Sequence, residues 1–105
     1  MTIQTLELTF GTTIQGSFEQ FHHKHPNVLH QLAELGLLAV RRGRTKIGIG
    51  QLFEVLRWER MIQGLPDGGE AFKLNNNYRS RYARLIMARY PELDGMFDTR
   101  ELRTP

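Results

Sequence analysis

Four polar side chains in the second half of this sequence have types and spacing suited to binding a ligand. They are Asn77, Ser80, Arg81 and Arg84. On a helix that starts at Asn76, these four would lie within about one-third of the circumference, with the tyrosines and aliphatic side chains opposite. Arg and Asn make bidentate hydrogen bonds to base edges, and Ser and Arg bind phosphate. The segment therefore predicts a helix that reads nucleic acid.

A second group of cations precedes this helix in the chain. It consists of Arg41, Arg42, Arg44 and Lys46. The formal net charge is +3, and residues 73–89 contain five basic side chains and no acidic one, whereas the residues after Pro91 are mainly acidic. A basic middle between neutral and acidic ends favours a polyanionic partner, with the second group clamping phosphates. An ordinary solvated surface is the alternative, since cations at a helix C-terminus also stabilise that helix.

Catalysis and metal binding find no support in the sequence. There is no cysteine, which excludes disulfides, thiolate metal sites and a Cys nucleophile. No glycine-rich loop ends in Lys-Ser or Lys-Thr, the combination that holds phosphates in nucleotide-binding enzymes. His22 and His25 have the spacing of a helical metal-binding pair, but no further ligand follows at a suitable distance. We therefore expect a non-enzymatic protein that uses no metal ion or cofactor.

The elements that must position these residues are predicted to be helices. With 105 residues, 40% of them hydrophobic, the chain is long enough for one small domain with its own core. Hydrophobic periodicity and capping signals place helices at about 17–25, 27–42, 51–63 and 76–90, followed by a last helical turn over 91–97. Residues 1–16 are expected to form an N-terminal arm or edge strand, and residues 17–105 a single helical domain. The predicted fold is thus a compact, mainly α bundle of about four helices.

The third predicted helix supports a different function. Its apolar side chains point nearly all round the cylinder, which is typical of a helix in the middle of a core or one covered by another chain. A protein interface there would use Phe53, Trp58, Met61, Arg57 and Arg60. Twelve residues separate Gln63 from Asn76, whereas a tight helix-turn-helix uses about three or four. The third and fourth helices are therefore expected to form only a loose pair of that type.

Two runs in the sequence resemble a family of small uncharacterised phage and prophage proteins. The first is Gly-Ile-Gly-Gln-Leu-Phe-Glu-Val-Leu-Arg-Trp-Glu at 48–59, and the second is Phe-Lys-Leu-Asn-Asn-Asn-Tyr-Arg-Ser-Arg-Tyr-Ala-Arg-Leu-Ile at 72–86. The likeness covers about residues 18–103. It implies a phage or mobile element inside a bacterium, and it carries over no catalytic residues.

Two functions are consistent with these features. The first is a phage-type regulatory protein that binds nucleic acid, with duplex DNA as the expected partner and a homodimer as the arrangement suited to a palindromic site. The second is a phage-encoded inhibitor of a host defence or nucleic-acid-handling protein. Either protein would work in the bacterial cytoplasm. No membrane association is expected, because no apolar run approaches the roughly 20 residues of a membrane span.

Overall fold

The computed structural model describes residues 13–63 and 74–98, and within these ranges the chain is mainly helical without a strand. The four α-helices are α1 (Ile14–Lys24), α2 (Asn27–Arg41), α3 (Ile49–Gln63) and α4 (Arg79–Arg89). Short 3-10 helices, Asn76–Tyr78 and Pro91–Leu93, precede and follow α4. The predicted compact, mainly α fold of about four helices is confirmed. The expected N-terminal strand falls on residues that lie largely outside the described part of the chain.

Helix α1 begins three residues earlier than the Ser17–Gln20 capping signal predicts. Thr13 is the N-cap residue, and its Oγ1 accepts a hydrogen bond of 2.9 Å from the backbone N–H of Gly16. The Ser17 hydroxyl is hydrogen-bonded to the Tyr78 hydroxyl instead of capping a helix. Residues 14–16, which were assigned to the arm, therefore belong to the helical domain.

Helix α2 supplies the longest buried stripe in the described chain. Its buried residues are Val28, Leu29, Leu32, Ala33 and Gly36. Leu35 and Ala39, which periodicity places in the core, are only partly buried. Gly36 lets the segment after α4 pack closely, because a Cβ at this position would lie 3.2 Å from Leu93 Cδ1. Gly43, with a φ of 89°, ends the helix as predicted, since a left-handed residue commonly follows the last helical turn.

Tyr82 of α4 lies at the centre of the core. Its ring packs edge-on against Phe18 of α1, with 4.8 Å between the ring centroids, and against Phe53 of α3 at 6.0 Å. Tyr82 and Phe53 are both completely buried. One side chain of α4 thereby joins three helices, which fixes the rotation of α4 about its own axis.

Two buried polar atoms in this core have no hydrogen-bond partner among the described residues. They are Nδ1 of His22 and the hydroxyl of Tyr82, and the two rings pack edge to face at 6.1 Å. Burial is the main cause that lowers the pKa of His22, with smaller effects of Arg89, His30 and His23. Burial also raises the pKa of Tyr82. Both side chains are therefore neutral in the folded protein at pH 7.

The lowered pKa of His22 predicts a loss of stability in mild acid. Below its ordinary pKa of 6.5, the unfolded chain protonates this histidine more readily than the folded one does. The free energy of unfolding should therefore fall as the pH drops from about 7.5 through 6.5 towards the folded-state pKa. Urea denaturation of wild type and His22→Gln at a series of pH values should show a shallower pH dependence in the variant. His23→Gln, at an exposed position, is the comparison and should keep most of the wild-type slope, because His23 affects the pKa of His22 less than burial does. Equal slopes for His22→Gln and wild type would contradict the assignment.

Candidate nucleic-acid interface

The connector between α2 and α3, residues 42–48, is fixed against the segment that follows α4. The backbone N–H of Ile47 donates a hydrogen bond of 3.1 Å to the carbonyl of Met96. Lys46 Nζ lies 2.9 Å from Asp98 Oδ1 and forms an ion pair with it. Because Asp98 also lies beside Asn77, Arg79 and Ser80, these contacts bring Lys46 close to the beginning of α4.

A groove opens where the first turns of α3 and α4 meet. Its volume is about 530 Å³, and it is lined by Gly48, Ile49, Gly50, Asn76, Asn77, Arg79, Ser80 and Asp98. A neighbouring hollow of about 310 Å³ is lined by Lys46, Ile47, Gly48, Gln51 and Asp98. The two share Gly48 and Asp98, so they form one continuous depression. It joins Lys46 of the second predicted group to Asn77 and Ser80 of the first, about 30 positions further along the sequence.

Arg79 is the functional candidate that the sequence analysis missed. Its side chain is exposed and lies across the first turn of α3, where a Cβ added to Gly50 would be 3.3 Å from Nη1. Arg79 Nε donates a hydrogen bond of 3.1 Å to the carbonyl of Asn76. A glycine at position 50 thus leaves room for the guanidinium at the groove. A helical wheel that starts at Asn76 places Arg79 beside the apolar residues, so the sequence pattern did not identify it as a contact residue.

Arg57 of α3 holds the chain in place as it enters the groove. Its Nη2 donates to the carbonyl of Leu74 and to Oδ1 of Asn76, both at 2.6 Å. Its Nη1 lies 2.9 Å from Glu54 Oε2. The guanidinium carbon is also 5.7 Å from the centre of the Phe53 ring, within range of a cation–π contact. Arg57, predicted as part of a partner interface, therefore binds the protein's own backbone.

Asparagine caps the beginning of the segment that leads into α4. Asn75 Oδ1 accepts a hydrogen bond of 2.8 Å from the backbone N–H of Asn77. This is the capping role expected for one of the three consecutive asparagines. The Asn77 side chain is left exposed in the groove lining.

We call the exposed polar and basic surface around this depression the basic end. Lys46, Asn77, Arg79 and the partly buried Ser80 line the depression, and the exposed Arg41, Arg42 and Arg44 come shortly before Lys46 in the chain. These seven residues make up the basic end. Within the described residues, Arg41, Arg42 and Arg44 are exposed and form no ion pair. Arg84 is exposed one turn beyond Ser80 on α4. Six of the eight predicted nucleic-acid contacts are therefore exposed, and a seventh, Ser80, is partly buried.

The prediction that Arg81 faces outward with its neighbours is wrong. Its side chain is 7% exposed, and Nε donates a hydrogen bond of 2.8 Å to Gln15 Oε1 of α1. Because α1 packs against this side of α4, the guanidinium is enclosed between the two helices. Arg81 therefore belongs to the structure of the fold.

The residues of the predicted partner interface on α3 also fall into a buried set and an exposed set. Phe53 is completely buried in the core, and Arg60 is 6% exposed and donates to Gln31 Oε1 of α2 at 3.1 Å. Both are wrong as contact residues for a partner, because α2 and α4 cover that side of α3. Trp58 and Met61 remain exposed, at 59% and 65% of their surface.

Neither a metal centre nor a membrane span is found among the described residues. No group of three or more His, Asp or Glu side chains in residues 13–63 and 74–98 could hold a metal ion. None of the described helices is long and apolar enough to cross a bilayer.

Comparisons with protein families, with curated proteins and with solved structures find no match for this chain. The function must therefore be argued from the basic end itself.

The buried position of Arg81 makes a prediction about stability. Arg81→Ala should lower the free energy of unfolding by about 1–3 kcal/mol, because a buried hydrogen bond to a charged donor and the packing of the side-chain stem are both lost. Arg44→Ala, at an exposed position, should change it by less than about 0.5 kcal/mol. Urea denaturation measures both values. Equal effects of the two variants would show that Arg81 has no structural role.

Proposed function

We propose that this chain is a non-enzymatic, phage-type regulatory protein that binds duplex DNA through the basic end. The observation that carries the proposal is the continuous depression that brings Lys46 of the connector together with Asn77, Arg79 and Ser80. Phosphate contacts supply most of the affinity of such proteins, and they come from Arg, Lys, Ser and Asn side chains and from helix N-termini. The basic end combines these groups on one side of a small domain.

The cations at the basic end are not equivalent. Lys46 is already paired with Asp98, so a phosphate near Lys46 must compete with that carboxylate. Within residues 13–63 and 74–98, Arg79 forms no ion pair; it donates to the neutral carbonyl of Asn76 and lies against Gly50. Its guanidinium can therefore turn to a phosphate oxygen without breaking an ion pair, and we expect it to contribute more to binding than Lys46 does.

The arrangement favours contacts with the backbone over the reading of bases. With Arg81 buried, the groups suited to base edges on this surface are Asn77 and the neighbouring exposed arginines. A single amide offers one bidentate contact to adenine, which discriminates by about 1–3 kcal/mol. We therefore propose modest sequence preference and strong dependence on salt.

Removing phosphate-contacting arginines should flatten the salt dependence of binding. In a titration of random duplex at increasing salt, Arg79→Ala and Arg44→Ala should each lower the slope of log K against log salt by about one unit. The two residues come from different parts of the chain, so equal effects would support a single surface. Lys46→Ala should have a smaller effect because its charge is already partly neutralised.

Arg89→Ala is the matched control for this titration. Arg89 is exposed like Arg79, but it lies at the opposite end of the 11-residue helix α4. Its removal should leave the slope unchanged. Equal losses in Arg89→Ala and Arg79→Ala would indicate diffuse attraction without a defined site, and failure of wild type to bind duplex at low salt would refute the proposal.

A second candidate function is an inhibitor that docks on a host protein. The exposed side chains of Trp58 and Met61 favour it, because large apolar side chains at the surface are common anchors of protein interfaces. Such an inhibitor requires no affinity for DNA. The same titration therefore separates the two candidates, since only the DNA-binding protein predicts a steep salt slope that Arg79→Ala reduces.

A further inference from the structure

The outer side of α3 carries an apolar strip with the spacing of a coiled-coil seam. Val55, Trp58 and Ile62 follow one another at intervals of three and four residues, and Gln51 precedes them by four. Val55 is 40% exposed, Trp58 59% and Ile62 61%, with Met61 beside them at 65%. Helix α3 thus buries one apolar side in the core and presents a second one to the outside.

The size and symmetry of the strip suit a second copy of this chain. Its four apolar side chains expose on the order of 400 Å², as large as the biggest patches on typical monomers. Two strips with their polar borders would bury roughly 1,000–1,200 Å² in total, which is the lower limit for a biological interface. In an antiparallel pair, Val55 would face Ile62 of the second copy, and the two Trp58 rings would meet near the axis. The strip is therefore complementary to itself.

The direction of pairing decides where the two basic ends point. Gly50, against which Arg79 lies, is about 110° round α3 from the middle of the strip at 100° per residue. In an antiparallel pair the two-fold axis is perpendicular to both helices, so both Gly50 positions face the same side. In a parallel pair they would face opposite sides. Only the antiparallel arrangement presents both basic ends to one partner.

The length of α3 sets the distance between the two basic ends. The strip is centred near Trp58, about nine residues from the start of α3 at Ile49. At 1.5 Å per residue this is about 14 Å, so the two starts of α3 would lie roughly 30 Å apart. Successive half-sites on one side of duplex DNA are about 34–36 Å apart. The pair would therefore match one turn of the double helix.

We infer that two copies of this chain pair through antiparallel α3 helices and place their basic ends one helical turn apart on the same side of duplex DNA. The pairing rests on the strip alone. Its use on DNA rests on the proposed function, and the two parts are tested separately.

The pairing is tested by the mass of the protein in solution. One chain has a mass of 12.2 kDa, so the pair has twice that, 24.4 kDa. At high micromolar concentration, light scattering should give the mass of the pair for wild type and that of one chain for Ile62→Glu. Leu38→Glu is the control, because Leu38 is also an exposed large apolar residue, at 43%, but lies on α2; it should still pair. A wild-type protein that remains monomeric would overturn the inference, and a different partner would then have to cover the strip.

Trp58 gives a second measurement that needs no variant. It is the one tryptophan of the chain, so its emission should shift to longer wavelength when dilution separates the pair and exposes the ring. Emission that does not change while the mass falls would place the contact away from α3 and overturn the inference.

Binding to duplexes of two lengths tests the arrangement on DNA. Wild type should bind a duplex of about 20 base pairs with two chains per duplex, and on the order of 100-fold more tightly than one of about 10, because the second basic end then engages intramolecularly. Ile62→Glu should lose this advantage and keep the salt slope per chain. Equal affinity of wild type for both lengths would overturn the arrangement on DNA. A protein that pairs but binds neither duplex would refute the proposed function and leave the pairing intact.

Discussion

The packing of aromatic rings around Tyr82 is the constraint on which the rest of the structure depends. Edge-to-face pairs of this kind contribute about 0.5–1.5 kcal/mol each beyond the burial of area. They also have a preferred geometry, so Phe18 and Phe53 fix where α1 and α3 lie relative to α4. With Tyr82 pointing inward, Ser80 and Arg84 must lie on the outer side of α4. The position of the site residues thus follows from a packing interaction that contains none of them.

Arg57 connects the aromatic core to the basic end. It lies over the Phe53 ring on one side and binds Leu74 and Asn76 on the other. These hydrogen bonds fix the position of the chain where it leads into α4. Asn75 then caps the short 3-10 helix that precedes α4. Because a guanidinium presents several donors in a rigid plane, one side chain can hold two acceptors at once. Here Nη2 holds both acceptors while Nη1 pairs with Glu54, and a lysine, with a single nitrogen, could not hold all three partners with the same geometry.

The sequence predicts the helices of this protein well, because apolar side chains recur at helical spacing and local signals mark several helix ends. Helices α2 and α3 lie within two residues of the expected bounds, and Gly43 and Pro91 mark stops that depend on local backbone chemistry alone. The start of α1 was not predictable in the same way. Thr13 and Ser17 are both good caps, and only the contact of Ser17 with the distant Tyr78 decides between them.

The site was predicted less well, because a helical wheel assumes one buried side and one exposed side. Helix α4 is enclosed by α1 and α3 together, so three consecutive residues, Arg81, Tyr82 and Ala83, are buried. A helical periodicity with a single buried side does not predict three consecutive buried residues. The wheel also treats every turn alike, although the first turn of α4 lies at an open end of the bundle where Arg79 extends over Gly50. Both errors depend on how the neighbouring helices pack against α4, and the local sequence does not specify that packing.

The arginines show why net charge is a poor guide to the proposed binding surface of this protein. Arg60 and Arg81 are buried against glutamines of other helices, and Arg57 is occupied by its own backbone and Glu54. These three count fully towards the formal charge, yet they add little to the field that an approaching polyanion meets close to the surface. Exposed cations remain at the connector and the start of α4, and among the described residues also at Lys24, Arg84 and Arg89. A small net positive charge can therefore be unevenly distributed over the surface, because the fold buries several of its cations.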